Sequence, residues 1–134
     1  MIRNPLENVK GELSIDSVST LKLAEEFGTP LYVMSETRVR ENYRRLDSAF
    51  SRKHKKTRIF YAAKANTGLS ILRILKNEGA NLDTVTTGEV FTALKAGFPH
   101  DRVLFTGTSV TTDELEYLLS KRVMVMREAC FRDC

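Results

Sequence analysis

Short apolar runs alternate along the chain with stretches in which apolar residues recur every three or four positions, and the runs return about every 20 to 25 residues. That rhythm predicts βα units joined by short loops, and therefore a parallel sheet. Strands are predicted at 58–63, 82–86, 102–106 and 122–126, mostly apolar and too brief for helices, as befits strands covered on both faces. Between the first two, Leu69, Leu72 and Leu75 repeat along one side of a predicted helix over 69–76, and Gly79 suits its left-handed stop. Thr86 and Glu89 have capping-box spacing ahead of an apolar stripe of Val90, Ala93 and Leu94, which Gly97 and Pro99 end. Thr111 and Glu114 repeat the device ahead of Leu115, Leu118 and Leu119.

Upstream, 17–27 reads as a helix closed by Gly28, and Thr29-Pro30 leads into a strand-like run at 31–34. Ser35 can cap a further helix whose Val39, Tyr43, Leu46 and Phe50 share one face and are expected to pack on a sheet. The pattern leaves two α/β architectures open, a doubly wound sheet and a (β/α)8 barrel. No strand is followed by the glycine-rich turn of a dinucleotide fold, so a barrel is favoured. A complete barrel takes about 250 residues. The expectation is therefore a partial barrel of three to four strands, divided into an N-terminal segment 1–34, a barrel part 35–125 and an atypical tail 126–134.

Composition narrows the class. Of 134 residues, 42% are hydrophobic and 28% charged, the balance of a globular chain able to bury a core. No run of about 18 apolar residues and no signal-peptide pattern occurs, so no membrane association is expected and the cytoplasm is the expected location. Cys130 and Cys134 lie too close together to staple distant segments and are too few for a zinc site. The net charge of +4 owes much to Arg52-Lys53-His54-Lys55-Lys56 and Arg58. No aromatic residue interleaves that run, which reads as a solvated connection and not as a nucleic-acid contact.

The segment richest in chemistry is Ile59-Phe60-Tyr61-Ala62-Ala63-Lys64-Ala65-Asn66, an apolar strand ending on a lysine where barrel active sites form. Strand alternation would put Lys64 on the face of Phe60 and Ala62. Partial burial would disfavour its charged form and free the amine to condense with an aldehyde. The other reading of such a lysine is a solvated residue at a loop entrance.

Tyr61-Ala62-Ala63-Lys64-Ala65-Asn66 resembles the Tyr-Ala-x-Lys-Ala-Asn signature of the fold-type III pyridoxal-phosphate decarboxylases, the group of diaminopimelate, ornithine and arginine decarboxylases. Further similarity is in register. Gly28-Thr29-Pro30-Leu31-Tyr32-Val33 resembles the opening phrase, Val39-Arg40-Glu41-Asn42-Tyr43 the first helix, and Leu82 to Val90 the Asp-Val-Val-Ser-Gly-Gly-Glu-Leu segment. Ala96-Gly97-Phe98-Pro99 and Phe105-Thr106-Gly107 continue the match, whose wording is nearest the diaminopimelate branch. Two departures stand out: Thr86-Thr87-Gly88 replaces Ser-Gly-Gly, and Gly107-Thr108-Ser109-Val110 lacks the amide and lysine often found there.

The resemblance implies a pyridoxal-phosphate barrel of the alanine racemase-like type, with pyridoxal 5'-phosphate held covalently by Lys64. The implied reaction is decarboxylation of meso-diaminopimelate to lysine, in a homodimer acting on a small amino acid. Asp83 would orient or charge-balance Lys64, its other reading being a loop-entry aspartate; Glu89 reads first as the capping partner of Thr86. The remaining family elements (phosphate-binding glycines, the acid facing the ring nitrogen, the partner subunit's cysteine and the C-terminal β-domain) have no match in these residues. The chain alone is expected to be inactive and poorly stable, and Met126 onward to be foreign to the fold. A non-enzymatic cofactor carrier and an ornithine- or arginine-type decarboxylase are the alternatives.

Overall fold

The computed structural model describes residues 4–126. The chain opens with an antiparallel meander of β1 (Leu6–Val9), β2 (Glu12–Ile15) and β3 (Val18–Ser19). Two-residue turns, Lys10-Gly11 and Asp16-Ser17, join the strands, and all four turn residues have positive φ. Such turns match the twist of a tight hairpin. The Asn8 side chain accepts from the Gly11 N–H at 2.9 Å, fixing the first turn. The predicted helix over 17–27 is thus shortened: Val18–Ser19 is the third strand, and α1 (Thr20–Phe27) starts with Ser19 accepting from the Lys22 N–H.

The expected strand at 31–34 does not form. These residues are exposed and have no ladder partner among the described residues, and a strand without a neighbour leaves its backbone groups to water. Ser35 does cap α2 (Glu36–Ser51), accepting from the Arg38 N–H at 3.0 Å while donating to Asp16 at 2.6 Å.

Beyond α2 the βα rhythm is as expected. In chain order come β4 (Phe60–Ala62), α3 (Leu69–Asn77), β5 (Asn81–Thr84), α4 (Thr87–Ala96), β6 (Val103–Phe105), α5 (Thr112–Ser120) and β7 (Met124–Val125). The four strands form one parallel sheet in the order β4-β5-β6-β7, and neither outer edge has a partner among the described residues. This is the sequential order of a barrel wall.

Alternation sorts the strand residues. Ala63, Leu82, Val103, Phe105 and Val123 are buried with Leu72 of α3, Val90, Ala93 and Ala96 of α4, and Leu118 of α5. The row Ala62, Asp83, Leu104 and Met124, in register across the sheet, points the other way and is only partly buried. Helices therefore cover one face, and the row lies on the face that would line a barrel interior.

The helix signals held in outline, but the apolar faces differ: of Leu115, Leu118 and Leu119 on α5 it is Leu118 that is buried, and Leu119 is 69% exposed. The buried stripe of α3 is Ile71, Leu72 and Leu75, whereas Leu69 is 42% exposed. The α2 face packs mainly on α3: Val39 and Tyr43 join Ile71 and Leu75 in a cluster that also takes in Tyr61 of β4, Leu46 borders an open groove of about 420 Å³ beside β4, and Phe50 is half exposed. Two polar clamps add to this apolar contact. Glu78, at the C-cap of α3 and with its side chain 7% exposed, accepts from Arg40 Nη1 at 2.6 Å and from Arg44 Nε at 2.6 Å. Arg102 stacks on Phe98 and donates to the carbonyls of Lys76 and Ala80, tying the end of α3 to the start of β6.

Candidate active site

Lys64 sits just past the C-terminal end of β4, though not as an alternating strand residue. The strand stops at Ala62, and Ala63–Ala65 forms a 3-10 turn packed against β5. Ala63 is fully buried within the turn, while Lys64 is exposed, so the expected partly buried amine is not found. The turn is closed from both sides of the lysine. The half-buried Tyr61 hydroxyl donates to the Asn66 carbonyl at 3.3 Å, and the Asn66 side chain accepts from the Gly68 N–H at 2.8 Å, immediately before α3. Burial raises the Tyr61 phenol above its ordinary pKa. Tyr61 therefore remains a donor throughout the neutral range.

Asp83 occupies the neighbouring strand. Its Cα partners are Ala62 on β4 and Leu104 on β6, which places it one residue row from the turn carrying Lys64. Leu82 and Thr84 on either side of it are fully buried toward the helices, so the half-buried Asp83 side chain belongs to the opposite face. There its Oδ1 accepts from Thr106 Oγ1 at 2.7 Å. The topology thus gathers Lys64, Asp83 and Thr106 at the C-terminal ends of three successive strands, where the active sites of barrels are built.

Glu89 stays out of this group. Thr86 Oγ1 accepts from the Glu89 N–H at 3.1 Å, but the Glu89 carboxylate reaches past the cap to the Val85 N–H at 2.7 Å, so the box is closed one residue early. At α5 the reciprocal box between Thr111 and Glu114 is complete. Both acids act on helix starts. Sequence reasoning assigned no part to Thr106 or to the ring closed by Tyr61 and Asn66. Leu104-to-Thr106 alternation was the available signal for Thr106, but it becomes useful only once β5 and β6 are in register.

The donor set suits pyridoxal phosphate: an accessible primary amine for its aldehyde, with a carboxylate and a hydroxyl on the adjoining strands. Among the described residues no cluster of three or more His, Cys, Asp or Glu side chains could hold a metal ion, and no helix is long and apolar enough to cross a membrane. Gly107, the last residue of the Phe105-Thr106-Gly107 match, has a local role: the residue is buried, and a Cβ there would collide with the Val85 carbonyl and lie 2.5 Å from Phe105 Cζ. The tail from Arg127, including Cys130 and Cys134, lies outside the described residues, as do the first three.

Comparison with known proteins places the fold and the family. The chain is 51% identical over 118 residues to diaminopimelate decarboxylase of Methanothermobacter thermautotrophicus, an alignment covering 88% of this chain and 28% of that protein. It is 38% identical over 117 residues to the Bacillus subtilis enzyme of the same name, covering 87% and 27%. The crystal structure of M. jannaschii diaminopimelate decarboxylase in complex with L-lysine superposes with a TM-score of 0.84 at 35% identity, covering 90% of this chain and 29% of that one. The chain thus spans less than a third of the length of these relatives, and its sheet is a partial pyridoxal-binding barrel of their kind. Residues 36–131 match the model of the pyridoxal-dependent decarboxylases, pyridoxal binding domain, and the chain belongs to that family.

Proposed function

We propose that this chain supplies the lysine-bearing part of a decarboxylase that converts meso-diaminopimelate to lysine and carbon dioxide, with Lys64 holding pyridoxal phosphate through Nζ and Asp83 beside it. The observation that carries the reading is the exposed Lys64 in the turn that directly follows β4, with Asp83 on the adjoining strand paired to Ala62, the last residue of β4. When bound, the cofactor supplies an electron-accepting ring that takes up the bonding pair left when the substrate carboxylate departs as carbon dioxide. The protein's own part is holding and orientation. Lys64 would hold the cofactor through its primary amine and give way there to the substrate amine. Asp83 presents a carboxylate from the adjoining strand that would orient the amine and limit its directions of approach.

The choice of diaminopimelate is supported by the 51% and 38% identities to decarboxylases of that name. A lysine/ornithine decarboxylase from Vibrio vulnificus is more distant, at 28% identity and a TM-score of 0.70. For the whole protein we propose a cytoplasmic homodimer. The test is incubation of the chain with pyridoxal phosphate, borohydride reduction and peptide mapping, alongside Lys64→Ala. Selective labelling of Lys64 supports the reading; labelling spread over many lysines, or unchanged in Lys64→Ala, overturns it. Carbon dioxide release from diaminopimelate, ornithine and arginine, measured on a preparation containing the remaining barrel, then separates the substrates. Labelling without release from any of them would indicate a carrier.

A further inference from the structure

We infer that Thr106 is a positioning residue of the Lys64 site, acting by holding the Asp83 carboxylate in one orientation. This rests on the assignment of Lys64 and Asp83 above. Asp83 extends from a sheet face on which its register neighbours are Ala62 and Leu104, and neither offers a side-chain hydrogen bond. Without a partner the carboxylate could rotate among several rotamers. Thr106 Oγ1 removes that freedom by donating to Asp83 Oδ1 at 2.7 Å.

The hydroxyl is itself held in place. The Thr106 N–H donates to the Thr84 carbonyl at 2.8 Å, continuing the β5-β6 ladder beyond β6. A β-branched side chain is stiff about χ1, and the next residue, Gly107, is packed so tightly that it leaves no space for a Cβ. The backbone on both sides of the hydroxyl is thus fixed. A threonine has one hydroxyl proton, and donating it to Asp83 leaves the oxygen only able to accept from other groups. With Oδ1 held by Thr106, the carboxylate plane is fixed, and Oδ2 is free of that bond.

The experiment compares the full chain with Thr106→Val, Thr106→Ser, Asp83→Ala and the double variant Asp83→Ala/Thr106→Val. Its readouts are the rate of borohydride-trapped labelling of Lys64 by pyridoxal phosphate and the ¹³C resonance of the Asp83 carboxyl. Thr106→Val, which keeps the shape and loses the hydroxyl, is expected to slow labelling roughly ten-fold, the effect of one hydrogen bond to a charged group. Thr106→Ser, which keeps the hydroxyl and loses the methyl, is expected to restore it. A packing role would rank these two the other way. The double variant is expected to label no more slowly than Asp83→Ala. Wild-type labelling in Thr106→Val, or losses that multiply in the double variant, would overturn the inference. If the wild-type chain labels no lysine selectively, the Lys64 assignment falls by itself and the resonance decides for Thr106. A shift in Thr106→Val that is absent in Thr106→Ser sustains the hold on Asp83, and an unmoved resonance refutes it.

Discussion

The Tyr61 hydroxyl reaches over the turn that carries Lys64 and donates to the carbonyl of Asn66, five residues on. The strand, the turn and the start of α3 are joined by this bond and by the Asn66 side chain, which accepts from the N–H of Gly68 at the N-cap of α3. A turn of three residues has little hydrogen bonding of its own, so its geometry depends on such closures.

Tyr61→Phe tests that dependence with the ring packing retained. Loss of the hydroxyl is expected to cost about 1 kcal/mol of stability, the usual net worth of one hydrogen bond, measured by urea unfolding. Labelling of Lys64 by pyridoxal phosphate is expected to slow by a few-fold. A variant that unfolds and labels as the parent does would show that the turn is held without the hydroxyl.

How far the sequence reveals this structure depends on how local each signal is. Thr86, Thr111, Gly79 and Gly97 act within one helix end, and all four were readable: both threonines cap, and both glycines have positive φ. The N-terminal meander was not readable, because its strands have four residues or fewer and Asp16-Ser17 is an uncommon choice for a turn with positive φ at both positions. Lys64 was expected at the end of the strand and lies two residues past it, its orientation having been read from a strand that in fact stops at Ala62. Ala63 and Ala65 fit either conformation, so nothing local marked the change. The link from Thr106 to Asp83 spans 23 residues and exists only through the register of two strands.

The clamp between α2 and α3 predicts a pH dependence. The Arg44 guanidinium, with Arg40 beside it, holds the Glu78 carboxyl below its usual range despite partial desolvation that works against this. A carboxyl whose pKa is lower folded than unfolded adds stability that is fully present above the unfolded value, about 4.3 for glutamate, and disappears as pH falls through the folded value. Glu78→Gln is therefore expected to lower the thermal midpoint at pH 7 and to match the parent in strong acid. Added salt is expected to narrow the gap at pH 7, because the Arg44 side chain is 65% exposed. A gap that persists unchanged into acid would assign the effect to packing.

Leu72 and Leu69 lie one nominal repeat apart on α3, yet their surroundings differ completely. Leu72 is fully enclosed among sheet and helix residues, whereas Leu69 keeps 42% of its surface. Leu72→Ala is expected to cost roughly 2–5 kcal/mol, and Leu69→Ala, with its side chain half in water, about 1 kcal/mol or less. Denaturant titration of the two variants measures the difference directly. Equal losses would mean that the three-residue repeat, and not the observed stripe of Ile71, Leu72 and Leu75, faces the sheet.

Gly107 yields the sharpest steric prediction. Its φ is not positive, so glycine is not required there by backbone conformation. The requirement comes from space: the site is closed by the Val85 carbonyl of the neighbouring strand end and by the Phe105 ring. The carbonyl cannot move without disturbing the start of α4, where Glu89 holds the Val85 N–H. The ring cannot swing away freely because Phe105 is only 2% exposed. Gly107→Ala is therefore expected to destabilise the fold by about 1–3 kcal/mol, the usual range for an overpacked core position. It is also expected to displace Thr106, which would weaken its hold on Asp83 and slow Lys64 labelling in the same variant. Gly107→Ala with parental stability and labelling would mean that the β5 and β6 ends separate easily, and the close approach would then have no part in fixing Thr106.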